Sequence, residues 1–173
     1  MQTTWRIGSR TVMRHEARTV YHGRSVFLHG PLSTTGMRFE EALSLSGDAA
    51  EVWKRASAVS EIPNYWHGTR TLKVVGGSGS VVHVKVKFAF GGSGEADIST
   101  NEERRTLTID YRSGPFTGRQ TVIVNDGSVV ARWDVKFRGV FRVASKWNES
   151  HFRSGTVHAL ERLAGDAGVS GSR

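Results

Sequence analysis

A strand pattern over residues 129–143 passes directly into a helical pattern over 146–164, and this junction constrains the fold more than any other feature of the chain. Val129, Ala131, Trp133, Val135, Phe137, Phe141 and Val143 fall on one side of the first segment; Arg132, Asp134, Lys136, Arg138 and Arg142 fall on the other. Alternation of period two over that length describes a strand with one dry face and one wet face. The next apolar positions, Phe152, Thr156, Ala159, Leu160 and Leu163, form one stripe of a helix. Such a helix rises about 28 Å, enough to cross a whole sheet. The last strand therefore feeds a helix able to cover the face that the strand keeps dry.

Upstream, residues 38–45 read as a first strand with Phe39, Ala42 or Leu43, and Leu45 facing in, closed by Ser46-Gly47. Asp48 with Glu51 three positions on has the capping-box spacing, opening a short helix through Ala56 with Val52, Trp53 and Ala56 on its apolar side. Residues 57–66 read as a second short helix, with Ser60 as its cap and Pro63 in its first turn. A strand at 67–75 precedes the turn Gly76-Gly-Ser-Gly-Ser80. The strand at 81–90 places Val82, Val84, Val86, Phe88 and Phe90 opposite His83, Lys85 and Lys87. After Gly91-Gly-Ser-Gly94 come a strand through Ala96 and Ile98, the polar turn from Thr100 to Glu103, and a strand with Leu107, Ile109 and Tyr111 on one side. Ser113-Gly-Pro115 leads into 116–124, and Asn125-Asp-Gly127 makes a tight hairpin into the strand at 129. In Val122-Ile123-Val124 the alternation fails, and the inward side is undefined.

The pattern predicts an α+β domain: a curved, seven-stranded antiparallel sheet wrapped around a long C-terminal helix, with two short helices after the first strand. At 173 residues the chain accommodates one domain of this kind. It is expected over 37–165, with a flexible tail over 166–173.

The net charge of +8 is unevenly spread. Arg6, Arg10, Arg14, Arg18 and Arg24 against Glu16 give residues 1–36 half of the excess. That segment has only scattered apolar residues and reads as a poorly ordered basic extension. Met37, next to the first clear strand, is an alternative true start, and an Arg-rich leader also has the composition of an organelle transit peptide. No cysteine is present, which excludes disulfides and thiolate metal sites. No apolar run approaches the roughly twenty residues of a membrane span, and a cytoplasmic protein is expected.

The order of elements resembles the helix-grip fold of the START, polyketide-cyclase and pollen-allergen (SRPBCC) superfamily. Gly47-Asp-Ala-Ala-Glu-Val-Trp53 is similar to its first-helix signature, and Ser60-Glu-Ile-Pro-Asn-Tyr-Trp66 to its second-helix segment. Asp126-Gly-Ser-Val-Val-Ala-Arg-Trp133 is similar to its late hairpin, and residues 152–163 to its closing helix. The resemblance implies an elongated apolar cavity between sheet and helix, with Tyr65, Trp66 and His67 near its mouth. Members bind lipids, sterols, quinones, polyketides or plant hormones, and some cyclise or dehydrate polyketides. They share no catalytic motif, so function does not travel with the fold.

The expected lining is Trp66, Val86, Phe88, Ile109, Tyr111, Trp133, Val135, Phe137, Phe152, Thr156 and Ala159. Such walls would hold a small hydrophobic ligand chiefly by desolvation. The first expectation is therefore a ligand-binding protein rather than an enzyme. The second is a polyketide or aromatic cyclase/dehydratase, with His151, Tyr111 or Arg119 assisting proton transfer. Tyr111 alternatively reads as a core tyrosine bonded to a main-chain carbonyl, and Tyr65 to His67 as a satellite core under the short helices. Glu95, Asp97 and Asp110 are expected to face water, with Arg119 undecided. A nucleic-acid or acidic-partner surface made by Lys85, Lys87, Lys136 and Arg138 ranks third. The seven histidines include no metal-ligand spacing, so neither a metal nor a cofactor is expected. The two Gly-Gly-Ser-Gly turns lack the following helix that a phosphate loop needs. The oligomeric state is left open.

Overall fold

Buried and exposed side chains alternate along the central strands of the computed structural model, which describes residues 36–139 and 145–165. In chain order the elements are β1 (Gly36–Ser44), α1 (Ala49–Ser57), a 3-10 turn (Val59–Glu61), α2 (Ile62–Tyr65), β2 (Thr69–Ser78), β3 (Val81–Phe88), β4 (Ser93–Asn101), β5 (Thr106–Tyr111), β6 (Phe116–Asn125), β7 (Ser128–Phe137) and α3 (Ser145–Gly165). The strands form one antiparallel sheet in the order β1-β7-β6-β5-β4-β3-β2. The predicted extension before residue 36, the tail after 165, and Phe141, Arg142 and Val143 lie outside the described residues.

The sheet is strongly curved. Phe152 of α3 has its ring centroid 5.2 Å from Trp133 and 5.6 Å from Phe137 on β7, and 6.1 Å from Phe90 just beyond β3. In a flat sheet β3 and β7 would lie about 19 Å apart. One helical side chain reaches both because the strands curl around it. α3 packs on β1 and β7, α1 on β5, β6 and α3, and α2 on β2 and α3.

Register is written into the wet face. Arg38 sits opposite Asp134, Glu40 opposite Arg132, His83 opposite Asp97 and Asp110 opposite Arg119, and each pair is ion-paired or hydrogen-bonded across strands. Hydrogen bonding from His83, and then from Arg112, holds the Asp97 carboxyl below the usual carboxylate range. Glu95 and Asp110 also face outward as expected, and so does Arg119. A one-residue slip would place these charges in the core.

Several boundaries differ from the sequence expectation, each for a physical reason. β2 begins at Thr69, because His67 and Gly68 form a turn closed by the Thr69 N–H donating to the Trp66 carbonyl at 2.8 Å. It then continues through Gly76 and Gly77 to Ser78, since strand pairing uses only backbone groups. Two register shifts, between Thr69 and Thr71 and between Val74 and Gly76, absorb the irregularity. The loop is only Gly79-Ser80, with Gly79 at φ +60, the left-handed first position of a type II′-like turn. β3 ends at Phe88, and Phe90 lies in the following turn. β7 ends at Phe137; the Arg138 N–H donates to the Pro115 carbonyl at 2.8 Å, and Gly139 turns at φ +57.

Asp48 caps α1 by accepting from the Ala50 N–H at 2.8 Å, whereas Glu51 lies 3.8 Å from Lys54. The second helix is shorter than expected: Ser60 falls inside the 3-10 turn and makes no cap, while Pro63 does sit in the first turn of α2. On β1 Leu43 packs against the core and Ala42 is exposed. Val122 and Val124 face in.

Candidate functional site

Strands two apart run in the same direction, so Phe88 and Tyr111, ending β3 and β5, meet Phe116, which begins β6, at one end of the sheet. Phe116 lies 5.1 Å from Phe88 and 4.8 Å, edge-on, from Tyr111. Trp133 of β7 lies parallel to Tyr111 at 6.2 Å, across the part of β6 where Gly118 has no side chain. Trp66, just after α2, tilts against Trp133 at 5.7 Å. Flat rings in edge and tilted contacts span a wide gap without filling it. They leave a cavity of about 410 Å³ between sheet and helix, of a size that suits a small-molecule site.

The inner wall consists of Trp66, Thr69, Phe88, Tyr111, Phe116, Trp133 and Thr156, all buried. The mouth is formed by His67, Gly68, Ala89 and Phe90 on one side, and by His151, Gly155 and His158 of α3 on the other, all exposed. A Cβ built on Gly155 meets nothing within 4 Å. Glycine inside a helix costs roughly 0.5–1 kcal/mol relative to alanine, and here its effect is to leave the mouth open.

The polar atoms of the inner wall serve one another. The Tyr111 hydroxyl donates to Gln120 Oε1 at 2.8 Å. Trp133 Nε1 donates to Thr156 Oγ1 at 3.1 Å, and that hydroxyl donates to the Phe152 carbonyl at 2.7 Å. Burial pushes the Tyr111 phenol above its ordinary range, so it stays a neutral donor. Gln120, behind these rings, is 1 % exposed, and its Nε2 has no hydrogen-bond partner among the described residues.

Of the residues expected from sequence, the cavity brings together Trp66, Phe88, Tyr111, Trp133, Phe152 and Thr156, with His151 at the mouth. Val86, Ile109, Val135, Phe137 and Ala159 are buried on the same side but do not line it. They fill space between packed neighbours. Arg119 is corrected: it lies on the opposite face of the sheet, bonded to both oxygens of Asp110 at 2.7 and 3.1 Å, which raises its own pKa and removes it from proton transfer in the cavity. Tyr111 is bonded to a side-chain amide rather than to a main-chain carbonyl. Tyr65 does sit under the short helices, donating to the Ala56 carbonyl at 3.1 Å, whereas Trp66 and His67 reach the cavity.

Sequence reading missed Phe116, Thr69, His158 and Arg162 as lining residues. Phe116 could have been found from its place beside Phe88 and Tyr111 at one sheet end. His158 and Arg162 follow His151 at seven and eleven positions, on one flank of α3.

A larger depression of about 770 Å³ lies on the outer face. Six of its charges pair with one another, Arg38 with Asp134, Arg119 with Asp110 and Arg132 with Glu40, and Lys136, Arg153 and the edges of Phe39 and Trp133 also line it. Lys85, Lys87, Lys136 and Arg138 are exposed on this face, while the large aromatic rings of the sheet point away from it.

No protein-family model matches the chain, and no curated protein matches it. Solved structures do match in fold. The Zhui aromatase/cyclase from Streptomyces sp. R1128 superposes with a TM-score of 0.65 at 12% identity, covering 80% of this chain and 99% of that one. A START superfamily protein from Mycobacterium smegmatis gives 0.59 at 10% identity, covering 76% and 97%. A norcoclaurine synthase point mutant from Thalictrum flavum, in complex with a transition-state analogue, gives 0.55 at 14% identity, covering 78% and 98%. At such identities the likeness establishes the helix-grip fold and nothing finer.

Proposed function

We propose that this chain binds a small, flat, largely apolar molecule in the cavity between sheet and α3, as a carrier, sensor or sequestering protein. One observation carries the reading: an aromatic-walled volume of about 410 Å³ runs from exposed mouth residues to a buried wall whose polar atoms are neutral and mostly bonded to one another. Each 100 Å² of apolar ligand surface removed from water there would contribute about 2.5 kcal/mol before the costs of association. Trp66, Phe88, Tyr111, Phe116, Trp133 and Phe152 supply the contact surface. The binding unit is the domain over 37–165.

A second reading has support from the aromatase/cyclase and norcoclaurine synthase likenesses: the cavity as a mould for cyclisation, with His151 and Tyr111 left as proton-handling candidates. Against it stands the inner wall, where among the described residues the only ionisable group is a phenol held neutral by burial.

Native mass spectrometry of gently purified protein tests the first reading. A stoichiometric apolar adduct, released on denaturation and recovered unchanged, is the expected result. Protein that carries no adduct and takes up no neutral aromatic probe would contradict it. Conversion of an added polyketide-like substrate, lost in His151→Ala, would move the assignment to the second reading.

A further inference from the structure

We infer that the ligand carries a carboxylate, held at the mouth of the cavity by His158 and Arg162 of α3. The inference rests on the cavity-binding reading and specifies its ligand. Its basis is the charge of the lining. Among the described residues, His67, His151, His158 and Arg162 border the cavity, and no aspartate or glutamate does.

The arrangement follows from helix geometry. Positions 151, 155, 158 and 162 fall on one flank of α3, roughly 120° round the helix from the stripe that packs in the core. His158 and Arg162 are one turn, about 6 Å, apart along the axis. A planar carboxylate can be bridged by two such donors. Gly155, with open space where a Cβ would stand, removes the side chain that would otherwise block the approach between His151 and His158.

The donors are also positioned. Arg162 Nε donates to the Tyr65 carbonyl at 3.0 Å, which fastens the guanidinium beside the turn carrying His67. This bond uses one of its five N–H donors. His67 Nε2 donates to the Asn64 carbonyl at 3.1 Å, so His67 borders the site with its N–H already engaged. His158 has no hydrogen-bond or ion-pair partner among the described residues. By contrast, Arg38, Arg112, Arg119, Arg132 and Arg153 each have a carboxylate of the protein. At the mouth the matching anion is left to the ligand, where charge-assisted hydrogen bonds are short and strong. The aromatic wall behind selects an aryl body for that carboxylate.

The test uses the full chain and the isosteric pair 2-naphthoate and 2-naphthamide, titrated at neutral pH and low salt by tryptophan fluorescence or calorimetry. Wild type is expected to bind the acid about tenfold more tightly than the amide, the scale of one charge-assisted hydrogen bond. The preference should fall as salt is added. The acid-to-amide ratio should approach one in the double variant H158Q/R162Q, and drop about threefold in His158→Gln alone, an exposed site where folding is not at stake. Arg119→Gln, on the outer face, should leave the ratio unchanged. Equal binding of acid and amide by wild type, or a ratio unmoved in both mouth variants, overturns the carboxylate inference while the cavity reading stands. Failure of both compounds to bind overturns the cavity reading itself.

Discussion

Two ends of one sheet face are equally dry and differently filled. At the end where α1 crosses β5 and β6, Val52, Ala56, Leu107, Val122, Val124, Leu160 and Leu163 are each at most 2 % exposed. Trp53 Nε1 donates to Glu102 Oε2 at 2.6 Å and fastens α1 to the turn between β4 and β5. Small and branched aliphatic side chains meet there, the residue types that fill an ordinary core. At the opposite end Phe88, Tyr111, Phe116 and Trp133 are almost as buried, yet they border an open volume, because rigid rings bridge the gap edge-on and α3 contributes Gly155. Burial therefore does not distinguish a wall from a filler; what covers a residue does.

The largest expected contrast is in stability. Leu160→Ala at the packed end should cost about 3 kcal/mol by urea denaturation, the range of buried Leu→Ala changes, while leaving uptake of a neutral probe intact. If it altered uptake as strongly as stability, the two ends would not be separate.

Alkaline pH acts on both ends through their tyrosines. Tyr65 and Tyr111 have phenols pushed up by burial. The unfolded chain loses these protons near pH 10 and the folded chain does not, so stability should fall as pH rises above about 10, by up to about 2.7 kcal/mol per pH unit for two phenols. Two of the chain's three tyrosines should give a tyrosinate absorbance only as the protein unfolds. Their ionisation before the unfolding transition would show that neither end is as dry as described.

A smaller effect of opposite sign sharpens the comparison. Gly155→Leu replaces a mid-helix glycine with a good helix former where nothing obstructs the new side chain. It should raise stability by about 0.5–1 kcal/mol while closing the mouth. Least of all, Arg119→Ala on the outer face should change stability by less than about 0.5 kcal/mol, as exposed ion pairs do. A larger loss would mean that the outer charge pairs determine more than register.

The fold was legible because its two periods are so clean: Val84, Val86 and Phe88 against His83, Lys85 and Lys87, then Phe152, Thr156, Ala159, Leu160 and Leu163 along α3. Strand ends were less legible, since Gly76 and Gly77 give no side-chain signal for the backbone pairing they make. The site was legible in part. Large aromatics such as Trp66, Phe88 and Trp133 stood out, but alternation reports which face a residue occupies and not what lies over it, so Val86 and Ile109 looked the same as true lining. Arg119 stayed undecided because Gly118, at φ +128 and so close to β7 that a Cβ would stand 2.3 Å from the Asp134 carbonyl, interrupts the apolar pattern of β6. His158 and Arg162 lie on the flank of α3, where polar residues ordinarily read as a solvated face.

The most direct measurement is a titration of wild type and Gly155→Leu with neutral 2-naphthamide, following tryptophan fluorescence, alongside urea denaturation of both. A saturable single site in wild type, weakened at least about tenfold in a variant that is equally or more stable, is the predicted result. No saturable binding to wild type, or equal binding by both proteins, would contradict a ligand cavity entered beside α3.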